Sequence, residues 1–149
     1  MSSTSANPST KTTQPRAGIG KIALAGIVAA IIALAANTVI AQVALVAGAS
    51  EDFMPLTPGA YGFFTVIGVI AGLVGWLLVR RTANAPATLR WLVPTVLVLS
   101  LVPDILLGFS DRAGVSWGAV VALMLMHVVV TVAAVVTFSR FLPVARRPA

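Results

Sequence analysis

The chain has 149 residues, of which 58% are hydrophobic and 9% charged, with a mean hydropathy of +1.00. Soluble domains carry about a quarter of their residues as charges, so this inventory cannot clothe a water-exposed globule. The formal charge of +6 sits on flanks of apolar stretches, which points to membrane topology and anionic lipid headgroups and away from nucleic acid.

A helical span needs about 20 apolar residues. The length accommodates four spans with short loops and no separate soluble catalytic domain. Cysteine is absent, which excludes disulfides, thiolate chemistry, Cys-ligated zinc and iron–sulfur clusters.

Residues 1–19 are rich in Ser, Thr, Pro and Ala and lack apolar periodicity, so they read as a disordered cytoplasmic tail. A four-helix membrane domain is expected over 20–142, with spans at about 22–46, 60–79, 89–109 and 116–138. Residues 143–149 form a basic tail. The first span has a rival reading: a basic front, an apolar run and Ala47-Gly48-Ala49 look like a signal peptide. Its run of about 25 residues exceeds the 7–15 of a signal core, which favours an uncleaved anchor.

Lys11, Arg16 and Lys21 precede span one, Arg80, Arg81 and Arg90 separate spans two and three, and Arg140, Arg146 and Arg147 follow span four. Four spans put all nine on one side. The other side holds Arg112 with Glu51, Asp52 and Asp111. The positive-inside rule then places both termini in the cytoplasm of a plasma-membrane protein. Short loops favour antiparallel neighbours, so the expected fold is all-α: an up-down antiparallel four-helix bundle.

Small residues allow close helix approach in lipid. Gly68, Gly72 and Gly75 form one face of span two, and Gly26, Ala29, Ala33, Asn37, Ala41 and Ala44 form a stripe on span one. These two stripes are expected to face each other, with a dimer seam as the alternative. Pro94 and Pro103 interrupt span three. Pro103 removes a mid-helix hydrogen bond and frees the Leu99 carbonyl, which Ser100 is placed to satisfy. It reads as a packing kink or, alternatively, a hinge.

Four polar residues stand inside the apolar runs: Asn37, Gln42, Asp104 and His127. A carboxylate in a span costs about 2.5–3.5 kcal/mol on insertion scales, so Asp104 must face protein or water. Counted from the outer span ends, Asn37 and His127 lie roughly 14–16 Å deep, and Gln42 and Asp104 roughly 6–8 Å. That predicts two rungs, Asn37 with His127 and Gln42 with Asp104. They serve either as packing hydrogen bonds or as a proton site. The outer loop Glu51-Asp52-Phe53-Met54-Pro55 reads as solvated, with capping of the bundle as the alternative.

Gly18-Ile19-Gly20-Lys21-Ile22 lacks the spacing of a P-loop, and no zinc-hydrolase, nucleophile-elbow or dinucleotide-binding motif occurs. The expectation is therefore no enzyme, no cofactor and no metal. The expected role is an accessory or interaction component. Its partners would be the lipid bilayer and another membrane protein or a second copy, with no nucleic acid. The alternative is a small homo-oligomeric proton-coupled transporter or channel using Asp104, with His127 as relay.

Four segments carry a resemblance: Ala36-Asn37-Thr38, Pro55-Leu56-Thr57-Pro58-Gly59, Ser100-Leu101-Val102-Pro103-Asp104 and Leu123-Met124-Leu125-Met126-His127-Val128-Val129. Together, over roughly residues 20–142, the chain resembles a family of small four-helix integral membrane proteins of unknown function, chiefly actinobacterial. The resemblance implies the fold and a plasma-membrane location and brings no activity with it.

Overall fold

The computed structural model describes residues 17–144, so the two expected tails fall mostly outside the described residues. Within that range the elements are α1 (Ile19–Val46), a 3-10 turn (Met54–Leu56), α2 (Pro58–Val79), α3 (Ala85–Gly108) and α4 (Trp117–Phe141), with no strand. All four helices are long and apolar enough to cross a membrane.

Local chemistry sets the helix starts. Pro58 opens α2 and Pro86 lies in the first turn of α3, where a missing N–H costs nothing. That places the start of α3 at Ala85, four residues ahead of the apolar run. Ser116 caps α4 by accepting the Ala119 N–H at 3.2 Å. After α1, Gly48 takes φ +97, and the Ala49 N–H returns to the Ala44 carbonyl at 2.9 Å. Glycine tolerates that left-handed conformation and so ends the helix.

The helices run up and down. The buried stripe of α1 is Ala25, Ala29, Ala33, Asn37, Ala41 and Ala44. Its first half meets Ala133, Ala134 and Phe138 of α4, and its second half meets Ala119, Ala122, Leu123 and Met126. The two helices are thus antiparallel, and they form the most extensive helix pair in the protein. Four of the alanines are fully buried, which lets the backbones approach closely.

α2 meets this pair differently from the sequence expectation. Its buried face is Tyr61, Thr65, Val69, Trp76 and Val79. Gly68 and Gly72 are exposed at the margin facing α4, where an added Cβ would lie 3.6 Å from Val130 and 3.8 Å from Phe138. A Cβ on Gly75 would meet nothing within 4 Å. The glycine face therefore does not pack on the alanine stripe. A stripe of small residues is a groove, and large side chains such as Phe138, Met126 and Trp76 fill it where a second groove would leave a void. Only Gly26 sits close to α2: its added Cβ would come within 3.2 Å of the Leu73 Cδ2.

α3 is peripheral. It packs mainly on α4, and Ala85 and Asp104 are its only fully buried residues. It runs as one helix through Pro94 and Pro103. Ser100 Oγ donates to the Leu97 carbonyl at 2.7 Å and not to Leu99, because a helical serine hydroxyl reaches back to the i−3 or i−4 carbonyl, whereas the Leu99 carbonyl points up the helix toward Pro103.

The outer loops close one end. Phe53 and Leu56 are 2% and 3% exposed and pack with Ala41, Tyr61, Ala119 and Met126. Glu51 and Asp52 face outward. The loop is thus a cap on the bundle and not a solvated link. The α3–α4 loop presses on it through Gly114, and Phe109 stacks edge-on against Trp117 with centroids 5.1 Å apart.

Candidate functional site

The intramembrane polar residues do not form the expected rungs. Asn37 is 1% exposed, and its Nδ2 donates to Thr65 Oγ1 of α2 at 2.8 Å. One position on, Thr38 Oγ1 lies 3.2 Å from the Tyr61 hydroxyl. These contacts tie α1 to α2, not to α4. The Asn37 Oδ1 is buried without a hydrogen-bond partner among the described residues. Gln42 is exposed and stands outside the polar core.

Depth fixes the level of a residue along the membrane normal but not its direction around the helix. Ala41 stands four residues after Asn37 and shares its face. Gln42 is one residue further, turned by roughly 100° toward the exterior.

Asp104 and His127, assigned to different rungs by depth, meet directly. The His127 Nδ1 lies 2.9 Å from the Asp104 Oδ2. Helical side chains lean toward the N-terminus of their own helix. In an antiparallel pair such as α3 and α4, that leaning makes the two residues converge along the axis and closes much of the apparent difference in depth.

The same Nδ1 lies 3.0 Å from the Leu123 carbonyl one turn back on α4. Two acceptors converge on one ring nitrogen, so the proton belongs on Nδ1. The Oδ2 makes no linear hydrogen bond, and the contact acts through proximity of charge and dipole. Whether the pair is imidazolium with carboxylate or neutral imidazole with its N–H toward the carboxylate, Asp104 is not left alone in lipid. The side chains are 10% exposed for Asp104 and 41% for His127. Thr131 bonds the His127 carbonyl at 2.9 Å and not the ring.

Sequence reasoning passed over Thr65, Tyr61 and Trp76. Thr65 and Tyr61 are four residues apart in an apolar run, which marks a polar face that the glycine pattern obscured. Trp76 Nε1 donates to the Leu142 carbonyl at 2.9 Å and draws the end of α4 against α2. Asp104 and His127 are metal-ligand types, but no group of three or more His, Asp or Glu converges among the described residues. An apolar groove of about 310 Å³ runs between Ile32 of α1 and Val128, Val132, Val136 and Thr137 of α4.

A family model covers residues 17–144, the whole of the described bundle. The chain belongs to DUF6069, a family of unknown function. No curated protein and no solved structure matches it. The match takes in all four helices of this DUF6069 chain, the Asn37–Thr65 tie and the Asp104–His127 pair included. No function comes with the family, so any reading of function rests on the geometry.

Proposed function

We infer that this protein is a non-enzymatic, multi-pass accessory or interaction component of the plasma membrane, with both termini cytoplasmic. The observation that carries the reading is the use of its intramembrane polar groups. Asn37 with Thr65, Thr38 with Tyr61, and Asp104 with His127 are separate ties between helix pairs. Each gives a polar side chain a partner within the bundle, where lipid offers none, and so serves bundle specificity. The apolar groove beside α4 is likewise lined for packing and not for polar chemistry.

Orientation rests on charge. Lys21, Arg80, Arg81, Arg90 and Arg140 lie at the end where α1 begins, and Glu51, Asp52 and Asp111 at the other. Because the chain has no cysteine, single cysteines report topology cleanly. In intact cells a membrane-impermeant maleimide is expected to label Asp111→Cys and spare Ala83→Cys, both at exposed loop positions. The reverse pattern sinks the assigned orientation.

The deciding experiment is native-membrane co-purification of the tagged chain. The accessory reading expects a second membrane protein at near-stoichiometric recovery, retained in Asp104→Asn whenever the bundle still folds. Recovery of the chain alone as a defined homo-oligomer would count against it. A second reading, a proton-coupled transporter, gains from the direct Asp104–His127 contact and the half-exposed imidazole. It expects Asp104→Asn to abolish pH-dependent flux in reconstituted vesicles at normal expression.

A further inference from the structure

All four acidic side chains of the chain, Glu51, Asp52, Asp104 and Asp111, stand at the outer end or in the outer half of the bundle. The opposite end gathers Lys21, Arg80 and Arg81 after α2, Arg90 in the second turn of α3, and Arg140 in the last turn of α4. No carboxylate side chain of this protein is placed to neutralise them. The short turn from Val79 to Ala85 sets Arg80 and Arg81 at the foot of α3, whose second turn carries Arg90. The Trp76 Nε1 bond to the Leu142 carbonyl holds the end of α4 beside the last turn of α2, the turn that leads into Arg80.

Two details single out part of this surface. The Nε of Arg80 is enclosed by protein and has no hydrogen-bond partner among the described residues. The terminal nitrogens of that guanidinium are not enclosed and carry no hydrogen bond among the described residues, so they are the donors open to an external anion. On α3, the Arg90 Cζ lies 5.9 Å from the ring centroid of Trp91, whose side chain is 70% exposed. An exposed tryptophan beside an arginine one to two turns from a helix end stands at headgroup level, with its ring in the interface.

We propose that Arg80, Arg81, Arg90 and Trp91 form a binding site for the phosphate headgroup of an anionic phospholipid at the basic end of the bundle. Guanidinium groups fit phosphate oxygens through paired donors, and Trp91 flanks the glycerol and acyl region. The site is independent of the accessory reading, since either functional reading accommodates it.

The test is thermal unfolding of the full chain in neutral detergent, titrated with phosphatidylglycerol, with phosphatidylcholine or with inorganic phosphate. Phosphatidylglycerol is expected to raise the midpoint saturably, and the other two are not. Each arginine removed is expected to weaken the apparent affinity about fivefold, so the triple variant Arg80→Gln/Arg81→Gln/Arg90→Gln loses on the order of a hundredfold. Arg112→Gln, at the other end, should match the unaltered chain. Equal effects of phosphatidylcholine, wild-type affinity in the triple variant, or an equal loss in Arg112→Gln would each overturn the site. An equal response to inorganic phosphate would also overturn it, as a free-phosphate site. Should the triple variant fail to fold, salt decides on the unaltered chain: phosphatidylglycerol affinity that does not fall with added sodium chloride ends the proposal.

Discussion

Replacing Gly114 with alanine is expected to destabilise the bundle by about 2–5 kcal/mol, the sum of a backbone cost and an overpacking cost. Gly114 has φ +75, a conformation that costs a residue with a Cβ about 1–2 kcal/mol. The added Cβ would also lie 2.8 Å from the Phe53 backbone N, 3.1 Å from its Cα and 3.2 Å from the Asp52 carbonyl carbon. These are backbone atoms, which cannot rotate aside as a side-chain tip can. The α3–α4 loop must lift, or the α1–α2 loop must shift and pull Phe53 from its buried seat. Reversible unfolding in mixed micelles, titrated with a denaturing detergent, measures the change. Gly59→Ala is the control: its Cβ meets nothing within 4 Å, and alanine is the better helix former. A Gly114→Ala midpoint equal to wild type would mean that the two outer loops do not depend on one another.

The four helices were legible in the sequence because each apolar run exceeds what a bilayer needs, and that signal does not depend on tertiary contacts. The buried stripe of α1 was legible from Ala29 to Ala44, since small residues repeat every three to four positions, but its first member is Ala25 and not Gly26. The partner of that stripe was not. Periodicity gives a direction around one helix but says nothing about which neighbour lies there. Gly68, Gly72 and Gly75 repeat as regularly as Tyr61, Thr65 and Val69, and only packing volume decides between the two faces.

The candidate site was half legible for the same reason. Asp104 and His127 each stood out because lipid penalises them singly. Their pairing depends on the relative tilt and lean of α3 and α4, which sequence depth does not encode. Phe53 escaped because the two acids just before it suggest a solvated loop, whereas the chain turns Phe53 and Leu56 inward and leaves Glu51 and Asp52 outside.

Removing His127 while keeping Asp104 is expected to cost about 2–3 kcal/mol, with most of it recovered when Asp104 is also made apolar. The magnitude lies between two known scales. Hydrogen bonds between membrane helices average about 0.6 kcal/mol and reach about 1.7. Breaking one side of a buried ion pair costs about 3–5 kcal/mol, because a charge is left uncompensated. In His127→Leu the Asp104 side chain, 10% exposed, is not wholly enclosed, which moves the cost below the upper scale. In Asp104→Leu/His127→Leu no polar group is stranded, and the apolar pair packs in its place. The loss should also be local. Asp104 is one of only two fully buried residues on α3, so this contact carries much of the docking of that helix on α4. The single variant is expected to raise hydrogen exchange in α3 while α1 and α4, joined through their alanine seam, stay protected. The double-mutant cycle isolates the coupling. A coupling below about 0.5 kcal/mol would mean that the two side chains contribute independently. In that case α3 would be held by its loops and by the packing of Gly108 and Phe109 against Trp117.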